Sequence, residues 1–165
     1  MRTQEEWDRF FEFIREIRED IVIVEGKRDA KGLNTLGLKH ILVIRGRPLL
    51  RIVTEAERLR EFHRNSDIII LTDFDREGKR MAAELAVLLR AHGLHPNRAK
   101  RRKFLDSGFT KIEELNSITR LLDLADLDRP LLKIREGDDY GEIGANINKI
   151  RNKGTDKGKR SRRKA

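Results

Sequence analysis

The chain has 165 residues, 39% of them charged, and a formal net charge of +9; that length suits one α/β domain with a real core and some peripheral structure, and is short for two full domains. The absence of cysteine excludes disulfides and thiolate metal sites and makes a reducing cytoplasm the natural setting. The start, Met1 to Asp8, is charged where a signal peptide needs an apolar core, and no apolar run approaches the ~20 residues of a membrane span, so the expectation is a cytoplasmic protein with no membrane partner.

In chain order, Thr3 to Arg18 reads as a helix: Thr3 can cap it with Glu6 three residues on, and Trp7, Phe10, Phe11, Ile14 and Ile17 trace an apolar stripe that implies docking on a domain. Ile21 to Val24 is a β-branched run of the kind that becomes a parallel strand covered on both faces. It ends in Glu25-Gly26-Lys27-Arg28-Asp29, ahead of a helix expected over Asp29 to Leu36. Glu25 is either a catalytic carboxylate or an acceptor for the free amides of that helix. A second strand, His40 to Ile44, closes on Arg45-Gly46-Arg47-Pro48, where arginines around a glycine suit phosphate contact and also suit a plain surface turn.

Thr54-Glu55-Ala56-Glu57 has the capping-box pattern for a helix to Phe62, and Asp67 to Leu71 reads as a third buried strand. Lys79 to His92 is helical in spacing, with Met81, Leu85, Leu88 and Leu89 on one face and Gly93 as its stop. A basic block, Arg98 to Lys103, then leads into a short strand expected at Phe104 and Leu105. Thr110 to Glu113 opens a further helix with Ile112, Leu115, Ile118 and Leu122 inward, and Asp139 can cap a last one carrying Ile143, Ile147 and Ile150. Strand–helix alternation through residue 105 argues for a parallel sheet with right-handed crossovers. The four histidines, His40, His63, His92 and His95, read as surface or helix-end residues.

Two features carry chemistry. Thr72-Asp73-Phe74-Asp75-Arg76-Glu77-Gly78 delivers acids at a strand's carboxyl end, where open α/β sheets place ligands. In an extended segment Asp73 and Asp75 point the same way, ~6–7 Å apart at their Cα atoms, and can converge on one hard cation such as magnesium. The other feature is the tail: residues 151 to 165 carry net +7 of the total +9. Such a block cannot bury enough surface to order itself. It serves as a nucleic-acid-binding arm, with solubility as the bland reading.

Taken together, Glu25-Gly26-Lys27-Arg28-Asp29, Gly46 and Asp73-Phe74-Asp75-Arg76-Glu77-Gly78 resemble the Toprim domain of bacterial primases, type IA and type II topoisomerases, OLD-type nucleases and the bacterial maturase of 5S ribosomal RNA precursors. The resemblance covers roughly residues 20 to 105. It implies a Rossmann-like α/β fold of about four parallel strands between helices, preceded by the helix at 1–19 and followed by a helical extension at 106–150 and a disordered basic tail at 151–165. It also implies a magnesium site, with manganese as an alternative, built from Glu25, Asp73, Asp75 and Glu77. Glu25 matches the family's general acid or base, with Lys27 and Arg76 beside it as catalytic cations. Gly26, Arg45, Gly46, Arg47, Arg101, Arg102, Lys159, Arg160, Arg162 and Arg163 are the candidate nucleic-acid contacts.

The acid string looks most like the type IA topoisomerase version, whereas the segment from Glu25 to Asp29 looks more like the maturase and the small stand-alone Toprim proteins of archaea and bacteria. The chain lacks room for a topoisomerase gate domain and carries a single tyrosine, Tyr140. The resulting expectation is a magnesium-dependent endonuclease or phosphotransferase acting on structured RNA or DNA, with RNA favoured. The alternative is a non-catalytic nucleic-acid-binding module associated with RNA or ribosomes. A protein partner or homo-oligomer is left open.

Overall fold

The structure is a computed structural model in which residues 3–108 are described. Three parallel strands, β1 (Ile21–Val24), β2 (His40–Val43) and β3 (Ile68–Ile70), form one sheet in the order β2-β1-β3. β1 is central, in register Ile21 opposite His40 on one side and Ile68 on the other. Five helices surround the sheet: α1 (Gln4–Glu16), α2 (Lys27–Thr35), α3 (Leu49–Phe62), α4 (Arg76–Ala91) and α5 (Arg98–Asp106).

The continuous β-branched runs are explained by a core on each face. Side chains alternate along a strand, so Val22, Val24, Ile69 and Leu71 pack with Trp7, Phe10, Phe11, Leu33 and Phe104, while Ile21, Ile23, Ile68 and Ile70 pack with Ile52, Val53, Leu85 and Leu89. Thr3 caps α1 in a full capping box with Glu6, and the helix buries Trp7 stacked on Phe11 at 5.9 Å between ring centres. Truncating a buried aromatic of this kind costs about 3–5 kcal/mol.

Four expectations need correction. The sheet has three strands rather than four, because next to β3 only an isolated parallel bridge forms, between Ile68 and Pro96; proline has no N–H with which to continue a ladder. Phe104 and Leu105 lie in α5 rather than a strand, since the Asn97 side chain accepts from Lys100 N at 3.0 Å and starts a helix there. α3 begins at Leu49, behind Pro48. Thr54 is therefore inside the helix, donating its hydroxyl to Leu50 O at 3.1 Å, and caps nothing. α4 begins three residues earlier than the apolar spacing suggests, which brings Arg76, Glu77 and Gly78 into its first turn.

The amino end of the sheet is locked by charge. Lys100 of α5 bonds Asp20, just before β1, at 2.7 Å and Asp67, just before β3, at 2.8 Å. Asp20 also accepts from Asp67 N, and Asn97 donates to Asp67. The hydrogen bond from Lys100 is the main reason that the Asp67 carboxyl is held below the usual carboxylate range. Burial works against the charge on Lys100, but its two aspartates outweigh it and raise its pKa. The helices expected after residue 108, Tyr140 and the basic tail with Lys159, Arg160, Arg162 and Arg163 lie outside the described residues.

Candidate functional site

β1 and β3 are neighbours running the same way, so the residues that follow them emerge side by side. Glu25 follows β1 directly, and its Oε1 accepts a hydrogen bond from the backbone N–H of Asp73 at 3.0 Å. The amide-capping alternative for Glu25 is met by another residue: Asp29, in the first turn of α2, accepts from Gly26 N at 3.0 Å. Glu25 thus reaches across the sheet while Asp29 serves the helix. Partial burial raises the Glu25 pKa, opposed by the Asp73 N–H and reinforced by the charges of Asp73, Asp75 and Asp29.

Gly78 makes this closeness possible. A Cβ at that position would stand 2.1 Å from the carbonyl oxygen of Asp73 and 2.9 Å from Glu25 Oε1, so only glycine lets the first turn of α4 lie against the end of β3. The fully buried Thr72 ties the two together by donating its hydroxyl to Gly78 O at 2.7 Å. Asp75 is the N-cap of α4, accepting from Gly78 N at 2.8 Å through Oδ1. Asp75 therefore caps a helix and faces the site at once. Glu77, in the first turn of α4, is exposed and paired with Arg80.

The candidate cations divide into free and engaged. Lys27 and Arg76, the first residues of α2 and α4, are exposed beside the acids. Arg45 and Gly46 form an exposed turn whose left-handed φ of 67° at Gly46 calls for glycine. Arg47 is turned inward, to both carboxylate oxygens of Glu55 and to Val43 O. Arg102 is exposed.

Arg101 donates to Ile70 O at 2.6 Å, Thr72 O at 3.2 Å and Asp73 O at 3.5 Å, with its guanidinium 4.4 Å above the Phe74 ring. It clamps the open edge of β3 where a fourth strand would pair. Burial lowers its pKa, with Glu25 and Asp73 acting in the opposite direction. The sequence marks Arg101 only as part of a basic block; its clamping role, like those of Thr72 and Gly78, depends on contacts between distant segments. The histidines stand apart from this site: His92 follows α4 and meets Glu57, and the rings of His40 and His63 are 3.9 Å apart near the start of β2.

The donor set fits a hard divalent cation. Glu25, Asp73 and Asp75 offer only oxygen, and among the described residues no cation forms a salt bridge with Glu25. Among the described residues no three acidic or histidine side chains converge into a ready cage. Magnesium is commonly held by one or two carboxylates, with water and substrate phosphates completing its shell.

Acids from adjacent strand ends, each followed by a helix N-terminus, lie where parallel α/β sheets usually place ligands. The Toprim domain matches residues 20–106, and the chain belongs to this family. Family membership connects it with metal-dependent nucleic-acid functions, as in nucleases, topoisomerases and primases. It is 34% identical over 125 residues to the UPF0292 protein MJ1624 of Methanocaldococcus jannaschii, covering 71% of this chain and 94% of that protein. It is 30% identical over 121 residues to a UPF0292 protein of Archaeoglobus fulgidus, covering 68% and 91% respectively. A solved protein from Aquifex aeolicus superposes with a TM-score of 0.53 at 25% identity, covering 62% of this chain and 94% of that one. No described helix is long and apolar enough to cross a membrane.

Proposed function

We propose that the chain is a magnesium-dependent endonuclease, with manganese as a substitute, acting on structured RNA in preference to DNA. The observation that carries this reading is the 3.0 Å hydrogen bond from Asp73 N to Glu25 Oε1, which unites acids from two strand ends. Glu25, Asp73 and Asp75 would hold the cation, with Glu77 joining by leaving Arg80. When bound, magnesium supplies Lewis-acid polarisation of a phosphate oxygen.

The chain's own groups do the rest. Glu25 Oε1 is fixed by the Asp73 amide, which leaves Oε2 to hold or release a proton at the attacking or leaving oxygen. Lys27 and Arg76 offset phosphate charge, and the N-termini of α2 and α4 beside them favour an anion in the same place. The preference for RNA rests on the likeness of Glu25 to Asp29 to the ribosomal RNA maturase.

The test is incubation of labelled structured RNA, single-stranded DNA and duplex DNA with the protein in magnesium, manganese or EDTA. Metal-dependent cleavage is expected, falling at least ~100-fold in Glu25→Gln and Asp73→Asn while binding persists. A second reading, a non-catalytic binding module, draws on the engagement of Glu77 by Arg80. Tight binding with no product in any metal would establish it and sink the nuclease.

A further inference from the structure

Beside the acid site a groove of about 320 Å³ runs between α4 and the start of α5, lined by Lys79, Arg90, Arg98 and Arg101 over a floor that includes Ala82 and Ala86. Among the described residues no acidic side chain lines it. Arg90 lies eleven positions beyond Lys79 on α4, or ~16 Å at 1.5 Å per residue, and residues 79, 82, 86 and 90 share one helix face. The acids Glu77 and Glu84 pair with Arg80 away from the groove. α4 therefore keeps its acids, with Arg80, off the groove face and presents Lys79 and Arg90 on it.

The groove cations differ from those basic residues of the domain that are tied into ion pairs. Arg47, Lys100 and Lys103 each have an acidic partner. Lys79, Arg90 and Arg98 are exposed and enter no side-chain hydrogen bond or ion pair among the described residues. Arg101 closes the end of the groove nearest Asp73. Asn97, the lining residue able to read a base edge, is occupied by Lys100 N and Asp67.

We propose that this groove binds the backbone of one single nucleic-acid strand as it leaves the acid site. The proposal rests on the reading of that site as one for phosphodiesters. Unpaired cations above a small apolar floor match a polyanion with flat bases, and cations spread along ~16 Å of α4 meet successive phosphates. The one side-chain amide on the lining is engaged and the free groups are cations suited to phosphate, so recognition follows the backbone rather than the sequence.

The test measures binding of a fluorescent single-stranded oligonucleotide by anisotropy across a salt series in EDTA, with the full chain. Replacing Lys79, Arg90 and Arg98 together by alanine is expected to reduce the slope of log K against log salt by about 2, at ~0.7 per lost phosphate contact on a single strand. Removing the same charge from the α3 side, with Arg51, Arg58 and Arg64 replaced by alanine, is expected to leave the slope within about 0.5 of the original. Circular dichroism melting confirms that both variants fold.

An unchanged slope in the groove variant, an equal fall in the α3 variant, or an equal fall for duplex of the same sequence would each overturn the proposal. Binding in EDTA demands no phosphodiester chemistry. Failure of the groove and failure of the nuclease reading are thus separate results.

Discussion

The two ends of the sheet carry the same kind of residue and treat it in opposite ways. β1 is bracketed by Asp20 and Glu25, and β3 by Asp67 and, beyond Leu71 and Thr72, Asp73. At the amino end Lys100 neutralises both aspartates. At the carboxyl end its chain neighbour Arg101 gives its guanidinium to backbone carbonyls instead. The consequence is visible in acidity: Asp67 is lowered, chiefly by the hydrogen bond from Lys100, whereas Glu25 is raised, chiefly by burial. The acidity of a strand-end carboxylate therefore depends on which groups the packing brings to it.

Breaking the carboxyl end has the largest expected effect. Gly78→Ala drives a Cβ to 2.1 Å from Asp73 O, and the backbone on both sides must move. A loss of about 3–4 kcal/mol in urea unfolding is expected, with magnesium-dependent activity lost even where the fold persists. Near-wild-type stability would show that the acid ends are not held together by this contact.

Breaking the amino end comes next. Lys100→Met strands the buried Asp20 and is expected to cost about 3 kcal/mol at pH 7. Because the folded-state pKa of Asp67 is lowered, its contribution is present above ordinary aspartate values and fades as pH falls through the folded value. The gap between wild type and Lys100→Met should therefore narrow as pH falls through and below the ordinary aspartate range in chemical unfolding. A gap independent of pH would remove the ion pair from the explanation.

The contrast is sharpened by Glu25→Gln, which should stabilise the protein. A raised carboxyl pKa means that the charged form disfavours folding above that pKa, and that protonation relieves it. In EDTA at pH 7 the melting temperature is expected to rise by ~2–4 °C, with the gain gone near pH 4. Magnesium should then raise the melting temperature of the wild type and leave the variant unmoved. The smallest effect is expected at Lys39, whose pair with Glu19 is exposed on both sides. Lys39→Ala should change stability by less than about 0.5 kcal/mol.

Much of this was legible in the chain. Ile21 to Val24 and Ile68 to Ile70 have a composition that requires cover on both faces, and Thr3 with Glu6 marks a helix start through local hydrogen bonds alone. The acid site was readable as residue types at strand ends, because a strand's direction places whatever follows it. The three-strand limit was harder to see, since it depends on Pro96 meeting Ile68 across the sheet. α5 was misread because Lys100, Arg101 and Phe104 point inward through contacts with Asp20, the end of β3 and Phe74.

The sequence by itself determined the parallel α/β architecture and which acidic residues follow the strands, because periodicity, caps and residue type act over a few neighbouring positions. Only the tertiary structure decided which cation reaches which strand end. That choice follows from where α5 docks, with Lys100 at one end of the sheet and Arg101 at the other, and from Gly78, whose missing side chain lets two distant strand ends share one space.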